Sequence, residues 1–336
     1  MAANDAWLAL TPEDPIEPTL PIIDPHHHLW DYPNNRYLIE EITADTAGHG
    51  IRQTVFIECS AMYRADGPDE FKPVGETEFV QGVAAMSANG RFGATRVAAG
   101  IVGTADLTLG DGVAPVLEAH LNASTNRFRG IRHRASWPDA RRPPAGQPAP
   151  KAHLLLDPDF RTGFAYLRQY ALSFEAWVFH PDITDVADLA RAFPTTTIIL
   201  NHLGGPILHG QFPGTPDEIF TKWKDDISEV AACPNVVVKA GGIQMPVNGF
   251  KWHERERPPS SDELAEVNAP WYLHAIEAFG PGRTMLESNF PVDRASCTYT
   301  VLYNQFKKLT KGFSPADRAA MFAGTAARVY RLREEA

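Results

Sequence analysis

Three cysteines in 336 residues, Cys59, Cys233 and Cys297, are too few and too scattered for a disulfide framework. Free thiols of this kind fit a reducing compartment. No apolar run reaches the roughly 18 residues that a membrane-spanning helix needs, so none is expected. The opening stretch, MAANDAWLALTPEDP, lacks the basic start and apolar core of a secretory signal. A cytoplasmic location is therefore the expectation. Positive charge is scarce as well. Lys and Arg total 31 against 41 Asp and Glu, for a net charge of −10. That balance argues against a nucleic-acid surface, which usually needs a basic patch. There is no low-complexity tail and no internal repeat beyond the alternation described next.

What is present is an ordinary globular composition, 44% hydrophobic and 21% charged, ample for a large core. Eight β-rich runs recur, each followed by a polar loop and a helix-like segment. They are PIIDPHHH, then 53–59, 95–103, 128–133, 173–180, 196–204, 235–242 and 283–290. Several are continuous Val/Ile/Phe runs, as in parallel strands buried on both faces. Segments such as 75–88, 112–123, 160–171 and 185–193 carry apolar residues at helical spacing. The closing SPADRAAMFAGTAARVYRL has Ser314 as N-cap and Pro315 at the first helical position. Eight βα units over residues 19–336 predict a single (β/α)8 TIM barrel, with 1–18 as an N-terminal extension. A doubly wound open sheet is the alternative, but no GxGxxG or P-loop accompanies it. The loops after strands two, four and seven are long. In a barrel they lie at the C-terminal face, where active sites sit.

Imidazoles collect at the predicted strand ends. His26 and His28 close strand one, His133 strand four, His180 strand five and His202 strand six. Residues two apart on a strand share a face. His26 and His28 are thus expected to point together, with His27 pointing away and Asp24 sharing their side. Neutral imidazole is the commonest metal ligand, and three protein ligands plus water is the usual catalytic zinc plan. Lys239 ends the strand-seven run and is expected to face inward, either orienting substrate or pairing with a carboxylate. Tyr63, Arg64, Trp137, Trp252 and His253 lie in the long loops and are candidate substrate contacts.

IDPHHHLWD, FRGIRH, ILNHLGGP and MLESNFPVD resemble the amidohydrolase-related (amidohydrolase 2) family of TIM-barrel hydrolases. The resemblance spans nearly the whole chain. It is nearest the branch of 2-pyrone-4,6-dicarboxylate lactonase and sugar lactonases. It implies one divalent metal ion, zinc by preference, on His26, His28 and His180. It places His202 against the attacking water or the substrate. It assigns Arg129 and Arg132 to a substrate carboxylate, which a guanidinium pairs in bidentate fashion. Some lactonases of the branch work without a metal, so metal-free catalysis belongs to the same expectation. Barrels of this family often dimerise, so a homodimer is expected on the same basis.

One position departs from the family. Strand eight usually ends in an Asp that ligates metal and acts as general base. Here the text is ESNFP, with Asn289 in that place. An amide cannot be a general base. Glu287, two residues earlier, shares the inward face and is the first candidate to replace it; Asp293 and Glu58 follow. The expected activity is hydrolysis of a cyclic ester of a small anionic substrate by metal-activated water. The alternatives are a zinc-dependent non-oxidative decarboxylase, an amide or imide hydrolase, and a barrel that only binds its ligand.

Overall fold

A computed structural model describes residues 5–137, 151–209 and 212–333. Most of the Pro-rich strand-four loop (138–150) and the chain ends lie outside the described residues.

The eight β-rich runs form eight strands: β1 (Ile22–His27), β2 (Ile51–Ile57), β3 (Arg96–Gly103), β4 (Phe128–Arg132), β5 (Ser173–Ala176), β6 (Ile198–Leu200), β7 (Val236–Ala240) and β8 (Thr284–Leu286). Each pairs in parallel with the next in sequence. The sheet closes on itself just beyond β1 and β8. Asn289 N donates to His26 O at 2.9 Å and His28 N to Phe290 O at 2.7 Å. Helices follow the strands in turn: α1 (Ile39–Asp45), α2 (Val74–Ala88), α3 (Ala114–Ala123), α4 (Pro158–Gln169), α5 (Ile183–Ala192), α6 (Pro216–Ala231), α7 (Ser261–Phe279) and α8 (Tyr299–Leu309). The fold is a single (β/α)8 barrel, and the open sheet is excluded. Among the described residues no helix is long and apolar enough to cross a membrane.

Two apolar layers hold it together. Outward strand residues such as Phe56, Ile101, Phe128, Phe174, Leu200 and Val238 pack against the helices. Inward residues Ile23, Val55, Ile57, Val102, Ile199, Val237 and Met285 form a second cluster inside the barrel. Burying each aliphatic side chain contributes about 1.5–3 kcal/mol. Ala326, Val329 and Tyr330 of the last helical segment complete this inner cluster. Arg129 Nε donates to Tyr330 O at 2.6 Å, and Gln53 Nε2 donates to Arg333 O at 2.6 Å. The segment begins as expected, with Ser314 Oγ accepting from Asp317 N at 3.1 Å, and a π turn at Ala320–Gly324 interrupts it. Residues from the expected extension lie on α7 and α8. Glu13 accepts from Ser261 and Asn304, and Ile16 O accepts from Lys307 Nζ at 2.5 Å.

Strand alternation along β1 is broken. The β1–β2 register shifts between Asp24 and His27. The extra residue of such a bulge reverses the faces beyond it. Asp24 therefore does not share the side of His26. Its carboxylate accepts from Ser288 N (3.0 Å), Ser288 Oγ (2.6 Å) and Tyr299 OH (3.1 Å), bracing the seam between β1 and β8. His27 faces the helices. Its Nε2 accepts from Thr54 Oγ1 at 2.8 Å, and Phe56 packs on the ring.

His120 joins three elements. Nε2 donates to Thr104 O at 2.9 Å and Nδ1 accepts from Thr77 Oγ1 at 2.8 Å. Burial lowers its pKa to about 4. The unfolded chain takes a proton at this position below about pH 6.5 while the folded chain does not, so stability falls with falling pH from there to about pH 4. In urea titrations across that window, His120→Gln should make the pH slope shallower by about 1.4 kcal/mol per pH unit.

Candidate active site

The inward faces of β5, β7 and β8 turn polar at their C-terminal ends. Lys239 stands two residues beyond Val237, and Glu287 two beyond Met285, on the same faces. Glu175, His26, Lys239 and Glu287 have no exposed surface. Glu287 lies at the centre. Its Oε1 accepts from His202 Nδ1 at 2.7 Å and from His202 N at 3.2 Å. Its Oε2 stands 2.7 Å from His26 Nδ1 but has no aligned hydrogen-bond donor. His202 reaches this place from a turn with φ of +54 at both His202 and Leu203. Two glycines make room. A Cβ at Gly241 would overlap Glu287, and one at Gly242, where φ is +66, would overlap the His202 ring.

The cations near the centre have carboxylate partners. Lys239 Nζ pairs with Glu175 Oε2 at 2.9 Å and lies 3.3 Å from His26 Nδ1. Tyr330 OH donates to Glu175 Oε1, and Asn201 Nδ2 to Oε2. Arg132 Nε donates to Glu58 Oε1 at 2.7 Å, and Nη2 to the Glu58 carbonyl. Its Nη1 is 3.5 Å from His26 Nε2. Formally, two cations, Arg132 and Lys239, face three carboxylates, Glu58, Glu175 and Glu287. Burial, followed by the charge on Lys239, holds His26 well below the ordinary imidazole pKa. Burial also lowers His202, against the opposing pull of Glu287, and lowers Lys239 despite Glu175.

His28 is close by, its ring 5.0 Å from that of His26. Nδ1 donates to Ile57 O at 2.8 Å, which leaves Nε2 as the lone-pair nitrogen, 3.3 Å from Asn289 Oδ1. Asn289 Nδ2 donates to Asp293 Oδ1 at 2.9 Å, and Gln244 N donates to Asp293 Oδ2 at 3.3 Å. Asp293 therefore stands behind Asn289, and burial pushes its pKa well above the usual carboxyl range.

Two sequence candidates, His180 and Arg129, bond to other partners. β5 ends at Ala176, so alternation does not extend to His180. That residue opens a 3-10 turn, where its Nδ1 accepts from Ile207 N at 3.3 Å and its ring meets Phe212. Glu175 of β5 and Trp177 just beyond it reach the centre, the latter edge-on to His202 at 4.6 Å. Arg129 is three residues from Arg132 and near the other end of β4. Its guanidinium donates to the carbonyls of Asn126, Phe128 and Tyr330. Trp252 packs on Phe250 beneath Arg255. Tyr63 is half-buried in the loop after β2.

The ligand atoms of His26, His202 and Glu287 lie within 4.8 Å of one another, a set that could hold a metal ion. Two imidazoles and a carboxylate suit a first-row divalent cation. The close but unaligned approach of Glu287 Oε2 to His26 Nδ1 is a contact that a cation between them would relieve. The residues present therefore fit such an ion.

The profile of the amidohydrolase family matches residues 23–332. A Sinorhizobium fredii protein of uncharacterized function, y4mH, is 32% identical over 93% of this chain and 98% of its own. An L-fucono-1,5-lactonase from Burkholderia ambifaria is 26% identical over 92% of this chain and 95% of its own. Among solved structures, an amidohydrolase from Burkholderia multivorans with bound zinc superposes with a TM-score of 0.71 at 24% identity, over 93% of this chain and all of that one. The chain belongs to the amidohydrolase family, and it is an enzyme of that superfamily.

Gly242→Ala should push His202 off Glu287 while leaving the apolar layers intact. A displacement of about 1 Å at a reacting group costs on the order of 10²-fold in rate. Turnover should fall by about that factor with the far-ultraviolet circular dichroism unchanged.

Proposed function

We propose that the chain hydrolyses the cyclic ester of a neutral, hydroxylated small molecule, a lactone of the sugar-acid kind. The observation that carries the reading is Glu287, hydrogen-bonded to His202 beside His26 at the C-terminal mouth. The L-fucono-1,5-lactonase relative supports the ester class. The pairing of Arg132 with Glu58 and of Lys239 with Glu175 favours a neutral substrate over the carboxylated one expected from sequence. It weighs equally against decarboxylation, whose substrate must bring a carboxylate.

His26, His202 and Glu287 would hold a divalent ion, which when bound supplies a Lewis acid for the carbonyl and a water of lowered pKa. With no ion on His202, the chain's own residues offer a proton route instead. His202 Nδ1 donates to Glu287, so Nε2 carries the lone pair. That nitrogen takes the proton of the attacking water, and Glu287 offsets the charge left on the ring. Arg132 lends positive charge to the developing oxyanion, and returning the proton to the ring-opened alkoxide completes the reaction. Asn289, without a titratable proton, donates its amide to Asp293 and takes no proton itself.

A panel of neutral aldonolactones, a pyrone dicarboxylate and aromatic acids, read by proton release or carbon dioxide, tests the reading. Only the aldonolactones should turn over; release of carbon dioxide from an aromatic acid would refute it. Glu287→Gln should lower kcat by about 10²–10⁴-fold on the best lactone. Dialysis against a strong chelator should abolish activity if the ion is required, and readdition of zinc or manganese should restore it. Full activity in chelator would assign the proton chemistry to His202 and Glu287 alone.

A further inference from the structure

A second set of ligand-type side chains lies where the two ends of the strand-four loop meet α5. Asp182 immediately precedes α5, and Asp185 is in its first turn. His153 comes from the chain leading into α4 and takes a left-handed backbone, φ +53. The ligand atoms of the three residues lie within 4.8 Å of one another. His153 Nδ1 stands 2.9 Å from Asp185 Oδ2. The backbone N–H of Trp137, at the other end of the loop, bonds the Asp182 carboxylate.

These bonds leave one atom unexplained. Asp182 is 8% exposed, and its Oδ2 is buried with no hydrogen-bond partner among the described residues. Among the described residues, Lys151 pairs with Asp157, and Arg161 with Asp188 and Leu155 O. A buried carboxylate oxygen without a donor is costly. A second carboxylate beside it adds to the cost. Burial and the Asp185 charge together raise the Asp182 pKa to about 6.

We propose that His153, Asp182 and Asp185 form a binding site for one first-row divalent cation, of the zinc or manganese kind, separate from the barrel centre. An imidazole in the set favours these ions over calcium and magnesium, which prefer oxygen ligands. Three protein donors leave further positions for water. The His153 side chain is 66% exposed, so an ion has a path in. On binding, the imidazole nitrogen that ligates gives up any proton it carries to solvent. The bound ion ties the chain at His153 to the start of α5, where Trp137 is already anchored.

Chelator-treated protein titrated calorimetrically with zinc chloride, and separately with manganese chloride, tests the site. Wild type should bind one more ion per chain than either His153→Ala or Asp185→Asn, and His26→Ala should keep that ion. The ion should raise Tm in wild type, and that part of the rise should vanish in both variants. A zinc-edge anomalous peak should lie among the three side chains and be missing in His153→Ala. Equal stoichiometry in wild type and both variants would overturn the proposal. Binding only at millimolar concentration and undiminished by either substitution would mean an adventitious ion only. The His153 substitution alters an exposed side chain, so a folding defect does not confuse the result. Because the count is a difference between variants, it holds whether or not the barrel centre binds metal.

Discussion

Glu287 sits at the bottom of the barrel mouth with no exposed surface, and a carboxylate there is tolerable only where donors converge on it. Much of the local structure follows from that need. His202 takes a left-handed turn that delivers both its backbone N–H and its ring to one carboxylate oxygen. Gly241 and Gly242 lack side chains because their Cβ positions fall on Glu287 and on His202. Lys239 stands against His26, and its own charge is balanced by Glu175, which Tyr330 holds from the last helical segment. The polar centre is therefore one connected network, and each member is positioned by another.

Much of the barrel was legible in the sequence. Seven of the eight strands fall within the predicted runs and the second starts two residues early, because buried parallel strands write themselves as short apolar stretches between turns. The inward position of Glu287 followed from its two-residue spacing to Asn289. Alternation failed where the strands themselves ended or shifted. β5 stops at Ala176, so His180 was placed four residues too far along a strand that is no longer there. The bulge in β1 turned Asp24 away from His26. Arg129 and Arg132 are an odd number of residues apart, and a closer count would have separated them. A charged Glu175 inside SFEAW was itself a signal, since an acid in an apolar strand needs a partner. Tyr330 gave none, because its link to Glu175 joins residues distant in sequence.

The replacement at Asn289 has a clear structural setting. The amide donates to Asp293, and its oxygen lies 3.3 Å from His28 Nε2. Two residues back, the Glu287 carboxylate lies between His26 and His202. On the proposed reading the chemical centre lies at Glu287, near Lys239 and two residues along from Met285 of the inner apolar layer. A buried centre strengthens every electrostatic contact within it.

The closing seam carries a thermodynamic consequence. His26 and Glu287 lie on the first and last strands' ends, and the sheet is joined there by only a few backbone bonds. Any occupant that grips both side chains also grips the two ends of the barrel. Its binding free energy then adds to the closure of the ring. Occupancy of the centre and integrity of the seam become coupled quantities, so local opening at β1 and β8 would report on the state of the mouth.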